Sequence, residues 1–170
     1  MQTYGSFVRF LAVTAQALAL AAAAAAAPPE RGLVVPGKSL GGVRLGATKA
    51  QVLAAWGASH GVCRGCGAPT WYFTYKAFAP EGAAAEFRRG RVSALYTLWQ
   101  PPGWHTARNL VIGDNEAEIT QLYGPMTKVT CVGYNALLLP SARGATTVFL
   151  VVDGKLWGFG LIRPGALACR

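Results

Sequence analysis

Two fifteen-residue stretches of this chain align on each other without a gap. Val43–Gly57 lies over Leu110–Gly124, and Gly46, Ala50 and Gly57 recur as Gly113, Ala117 and Gly124. Val43/Leu110, Leu45/Ile112, Thr48/Asn115, Gln51/Glu118, Val52/Ile119 and Trp56/Tyr123 keep their chemistry. An internal repeat constrains architecture strongly, because each copy must satisfy the same local geometry. The repeated unit reads as a turn and a short helix. Thr48 caps the helix and Gln51 reaches back, and Asn115 and Glu118 form the same reciprocal pair. Gly57 and Gly124 fall where a helix ends in a left-handed residue. Val52 and Trp56, and likewise Ile119 and Tyr123, lie four apart on one helix face. Helices this short need an apolar surface to pack on.

That surface is predicted to be strand. Trp71–Tyr75, Ala83–Phe87 and Val92–Trp99 follow the first helix, with a turn at Arg88–Arg91. Tyr134–Leu139, Thr146–Val152 and Lys155–Ile162 follow the second, with Asp153-Gly154 between the last two. Asp-Gly between apolar runs is a strong hairpin signal, and Arg89-Gly90 is its counterpart. The expected class is α+β: two tandem helix-plus-antiparallel-strand (αβββ) repeats, helices on one side of a curved sheet. The boundaries are a signal peptide over 1–27, a short N-terminal linker over 28–36, a first repeat over 37–100 and a second over 101–170. Pro101-Pro102-Gly103 joins the repeats.

The first 27 residues differ from the rest. Arg9 is their only charge, and an apolar run from Phe10 ends in seven alanines before Pro28. This is the pattern of a secretory signal, with the cut expected just before Ala26 or Ala27. An uncleaved anchor is the alternative, opposed by Thr14, Gln16 and the weak hydrophobicity of alanine. No lipobox precedes a cysteine. Beyond residue 27 the chain holds 15 Lys/Arg against 7 Asp/Glu. Residues 31–100 hold nine basic and two acidic side chains. Such a balance suits an acidic protein surface or an anionic envelope polymer or lipid, or else merely keeps an exported protein soluble. Export argues against nucleic acid. The chain is expected not to span a membrane once processed.

Four cysteines in an exported chain read first as two disulfides. Cys63–Cys66 with Cys131–Cys169 is preferred, because each bond then stays within one repeat.

Leu45-Gly46, Thr48, Val52, Gly57, then Trp71–Phe73 and the hairpin residues Gly90–Val92 form a pattern that resembles the BamE-like (SmpA/OmlA) outer-membrane lipoprotein domain. Two such units in tandem, with cysteines in each, resemble the β-lactamase inhibitory protein fold. The resemblance covers nearly all of residues 37–163. It implies a protein that binds other proteins through its sheet face and loops.

The candidate contact residues come from the strands and one turn. Trp71, Phe73 and Tyr75 share one strand face, and Trp157 and Phe159 share another. Each row is either core or a solvent-facing patch, since Trp and Tyr are enriched in binding hot spots. Both sheet faces carry bulky residues, as Trp99 and Leu95 against Tyr96 and Leu98 show, so a sheet with helices on one side has an apolar face left over. Arg88, Arg89 and Arg91 crowd one hairpin tip, as a solvated edge guard or as a finger for an acidic surface.

No catalytic residue is expected. The Cys63/Cys66 pair is the one feature that could act as a small thiol-redox site, but no helix begins after it to lower a thiol pKa. Structural zinc needs a second paired set of ligands, and His60 and His105 are the only histidines. Most of the seven acids fall in caps and turns, and Glu81 and Glu86 offer no acid/base pair. The sequence thus points to a secreted or cell-envelope protein-binding module of inhibitor or envelope-assembly type. It should have no enzymatic activity, no metal and no cofactor. The alternatives are an envelope module holding basic residues on anionic polymer or lipid, and the thiol-redox protein.

Overall fold

The computed structural model describes residues 27–142 and 144–169. The signal peptide expected over 1–27 lies outside the described residues, apart from Ala27. The elements run β1 (Leu33–Val35), β2 (Ser39–Leu40), α1 (Lys49–Trp56), β3 (Gly61–Cys63), β4 (Thr70–Thr74), β5 (Gly82–Arg88) and β6 (Arg91–Leu98). They continue with β7 (His105–Thr106), α2 (Glu116–Tyr123), β8 (Thr127–Cys131), β9 (Tyr134–Pro140), β10 (Thr146–Val152) and β11 (Lys155–Ile162).

Local chemistry explains the helices and the tightest turns. Thr48 Oγ1 accepts from the Gln51 amide at 3.2 Å, while Gln51 Oε1 accepts from the Thr48 amide at 2.8 Å. The Asn115 amide donates to Glu118 Oε2 at 2.9 Å. Gly57 and Gly124 close the two helices with φ of 88° and 81°, donating to Leu53 O and Thr120 O at 2.8 Å. Arg89 and Gly90 have φ of 50° and 73°, and Asp153 and Gly154 have 48° and 72°. Two successive positive φ values give the turn whose twist matches flanking antiparallel strands.

Eight strands form a single antiparallel sheet in the order β3-β4-β5-β6-β11-β10-β9-β8. The join is β6 against β11, with Tyr96, Leu95 and Ala94 opposite Gly160, Leu161 and Ile162. A three-stranded sheet, β2-β1-β7, stands beside it. Its strand β1 falls within the segment expected as a linker.

Val52 and Trp56 of α1 and Ile119 of α2 are buried together with Phe73, Phe87, Leu95, Phe149 and Phe159. Trp56 meets Phe73 edge-on at 5.4 Å, and its Nε1–H donates to Gly41 O at 2.9 Å. A second, smaller cluster of Ala94, Ala136, Val148, Leu150 and Ile162 lies on the other face, with Ala166 and Ala168 packed against it.

The expected α+β class, with two tandem helix-plus-strand repeats, is therefore corrected. The protein is mostly β: the two helices have eight residues each, and one large sheet carries the architecture. The reason lies in the hairpins. Once β5–β6 and β10–β11 have closed, β6 and β11 each keep an unpaired edge. Pairing those edges satisfies a row of backbone groups on each strand. It also fuses the strands into one body instead of leaving two units side by side.

Candidate protein-binding face

The eight predicted contact residues do not form one site. Phe73 and Phe159 are fully buried on the helix side. Trp71 is half-buried on that same side. Its ring lies 4.1 Å from that of His60 and 4.9 Å from that of Phe87, and the Lys49 ammonium sits 4.9 Å above it. Trp157 is half-buried and meets Trp99 edge-on at 6.1 Å. Tyr75 donates its hydroxyl to Pro29 O at 3.1 Å and accepts from the Trp104 indole N–H. Burial holds the Tyr75 phenol above its ordinary pKa; the nearby Glu30 charge acts the same way, and the Trp104 hydrogen bond opposes it.

Arg88, Arg89 and Arg91 are exposed at the β5–β6 turn. Arg91 donates to Gly46 O at 3.2 Å, which ties the turn to the loop before α1. In the hairpin register Arg88 pairs with Arg91 at the turn and Gly82 with Leu98 at the far end. The arginines and the Trp99 end of β6 are therefore separated by the length of the strands, roughly 20 Å at about 3.3 Å per residue.

The face opposite the helices does bring aromatic side chains together. Phe73, Ala83 and Leu95 point into the helix-side core, so their alternating neighbours Tyr72, Ala84 and Tyr96 point the other way. There they line a groove of about 590 Å³ with Phe78, Leu98, Trp99 and the Cys63–Cys66 loop. Tyr72, Phe78 and Trp99 are 42%, 107% and 61% exposed. Phe78 and Trp99 are also held at φ of 63° and 53°. A left-handed backbone at a bulky residue costs about 1–3 kcal/mol and persists only where the surroundings enforce it. Two exposed aromatic residues with left-handed backbone thus stand at the rim of one groove.

Sequence reasoning used Tyr96 and Trp99 only to show that both faces carry bulky groups, and it passed over Tyr72 as a contact residue and Phe78 altogether. Phe78 was detectable as a lone aromatic in the polar and small-residue loop Lys76–Pro80. Trp99 was detectable as the aromatic that ends the β6 run.

The groove is lined by the hydroxyl-bearing residues Thr70, Thr74, Tyr72 and Tyr96, by apolar groups and by the Cys63–Cys66 disulfide; the Thr70 hydroxyl donates to Ala68 O at 2.9 Å. Cys63 is bonded to Cys66 and Cys131 to Cys169, the pairing preferred from the sequence. Two such bonds fit an oxidising, exported setting. Among the described residues no group of three or more His, Cys, Asp or Glu could hold a metal ion. Among them, too, no helix is long and apolar enough to cross a membrane.

No protein-family model matches the chain, and no curated protein sequence matches it. Two solved structures share part of its shape. One is an extracellular protein containing an SCP domain from Bacillus anthracis str. Ames, at 12% identity and a TM-score of 0.49, over 71% of this chain and 44% of that one. The other is a cysteine-rich secretory protein from Staphylococcus aureus subsp. aureus Mu50, at 12% identity and a TM-score of 0.49, over 81% of this chain and 48% of that one. The chain spans a little under half the length of each. Likeness at this level supports no statement about what this chain does. The expected membership in the BamE-like group and kinship with β-lactamase inhibitory protein are corrected: no family model matches, and the two separate helix-plus-strand units on which the resemblance rested are replaced by one eight-stranded sheet.

Proposed function

We propose that this is a secreted, non-catalytic module that binds another protein through the groove on the face opposite its helices. The observation that carries this reading is the set of exposed aromatics, Tyr72, Phe78 and Trp99, around one groove. Rigid aromatic side chains bring large contact area at small entropic loss and dominate binding hot spots. An aromatic patch left in water is unfavourable unless a partner covers it. The groove's polar groups are mainly hydroxyls, and none of the groups lining it is a carboxylate or imidazole that could act as a general acid or base.

A second reading has its own support. Arg88 and Arg89 are exposed, and residues 31–100 carry a net charge of about +7 from nine basic and two acidic groups. A module that lies on anionic envelope polymer or lipid would use these groups.

One capture experiment separates the two. Residues 28–170, with both disulfides intact, are immobilised and exposed to extracellular and envelope proteins at low and high salt. A single stoichiometric protein retained at both salts supports the groove. Heterogeneous retention lost at high salt supports the basic surface instead, because screening at 1 M salt shrinks the Debye length to about 3 Å.

A further inference from the structure

The groove does not end at Tyr96. A second recess, of about 420 Å³, shares Cys66 and Tyr96 with it. A third, of about 330 Å³, shares Glu86, Arg88 and Leu167 with the second. The three form one row along the face opposite the helices, and the segment following β11 walls the two outer recesses of that row. Leu167 lines both outer recesses. Ala166 and Ala168 cover the small apolar cluster of Ala94, Val148, Leu150 and Ile162.

Among the described residues, a covalent bond is the strongest hold on this segment. Residues 163–169 form no strand or helix, and Leu167 is 77% exposed. Arg163 anchors the near end by donating to Val92 O at 3.4 Å, and the Ala166 amide turns back to Arg163 O at 3.1 Å. The far end is fixed by Cys169 to Cys131 on β8, an outer strand of the sheet. Among the described residues, Ala166 and Ala168 supply the segment's apolar packing between these ends, and methyl groups gain little by burial.

We infer that residues 163–169 are a strap latched by the Cys131–Cys169 bond, and that opening the latch merges the two outer recesses into one cleft that continues the groove past Tyr96. The inference rests on the protein-binding reading of the groove, whose length the strap would then set.

The opening step is thiol–disulfide exchange with a dithiol. One thiolate of the dithiol attacks Sγ of the exposed Cys169, the Cys131–Cys169 bond breaks, and Cys131 leaves as a thiolate that takes up a proton. The second thiol loses its proton and attacks the reagent sulfur of the mixed disulfide, releasing Cys169 as a thiol. The protein gains two electrons and two protons, and the dithiol becomes a disulfide.

The test compares the parent chain, a Cys131→Ser/Cys169→Ser variant and a chain with four Gly/Ser residues inserted after Gly165, which slackens the strap but keeps the bond. Hydrogen exchange of residues 163–169 and binding of the apolar dye bis-ANS are measured on each. The strap predicts exchange about tenfold or more faster at the Ala166 amide, which is held to Arg163 O, for both variants, with β10 and β11 still protected. It also predicts more dye bound. Should the serine variant lose protection throughout, the slackened chain decides. Parent-level exchange and dye binding in the slackened chain would overturn the latch. These readouts need no partner, so they fail independently of the protein-binding proposal. If the strap loosens as predicted, a captured partner whose affinity is the same for parent and slackened chains would overturn the strap's control of the groove.

Discussion

Breaking the Cys131–Cys169 bond should cost the fold far more than breaking Cys63–Cys66, and the difference follows from loop length. The first bond links residues 38 apart and the second residues 3 apart. A cross-link removes closure entropy from the unfolded chain, growing with the logarithm of the loop. For the long loop this amounts to about 4 kcal/mol at 25 °C, and for the short one to under about 2 kcal/mol. Total stability of a domain of this size is on the order of 5–15 kcal/mol, so the Cys131→Ser/Cys169→Ser chain should still fold, at a reduced margin. The assay is urea unfolding followed by tryptophan fluorescence, with Cys63→Ser/Cys66→Ser as the comparison. With an unfolding slope of about 2 kcal/mol per molar urea, the long-loop variant should unfold about 2 M earlier than the parent and the short-loop variant by less than about 1 M. An equal or reversed order would refute the entropic argument. It would mean that the Cys63–Cys66 bond acts chiefly through the folded state, by shaping the groove wall.

Two further outcomes test the packing. Trp56→Ala should destabilise by about 3–5 kcal/mol, because the ring is wholly buried against Phe73 and its indole donates to Gly41; a loss under about 1 kcal/mol in the same urea assay would show that the helix side is not the main core. Tyr75 supplies a pH signature. Its folded-state pKa is raised, so its neutral form is favoured in the fold. Its contribution is intact below the ordinary phenol range and is lost as pH climbs through the raised value. Parent stability should therefore fall on the alkaline side more steeply than that of Tyr75→Phe, and parallel curves for the two would contradict the burial argument.

The legible parts of this fold are those set by a few neighbouring residues. Thr48 with Gln51, Asn115 with Glu118, Gly57, Gly124, Arg89-Gly90 and Asp153-Gly154 act within four positions of themselves, so sequence spacing alone locates them. What the strands then do depends on residues far apart. The pairing of Tyr96 with Gly160 joins positions 64 apart, and no local signal distinguishes it from two separate sheets. The same distance problem hid the site. Trp71, Tyr72 and Phe73 are adjacent aromatics, and alternation separates them into two faces without saying which is covered. The helices and Trp104 settle that choice in three dimensions, burying Phe73 and leaving Tyr72 out. Phe78 and Trp99 are exposed and adopt left-handed backbone at non-glycine positions, which sequence preference argues against. The Cys131–Cys169 pairing could be preferred because it keeps each bond within one repeated half of the sequence, yet the route of residues 163–169 across the sheet face could not.

The most direct test is the affinity of the captured partner for the parent, Trp99→Ala and Arg89→Glu chains, by titration calorimetry. The aromatic groove predicts that Trp99→Ala weakens binding by about 30-fold or more, some 2 kcal/mol, as for a hot-spot aromatic. Folding stability should change by no more than about 0.5 kcal/mol, as for an exposed site. Arg89→Glu, at the far end of the hairpin, should leave affinity within about threefold. A partner that is indifferent to Trp99 and released by Arg89→Glu would contradict the groove and place binding on the basic turn.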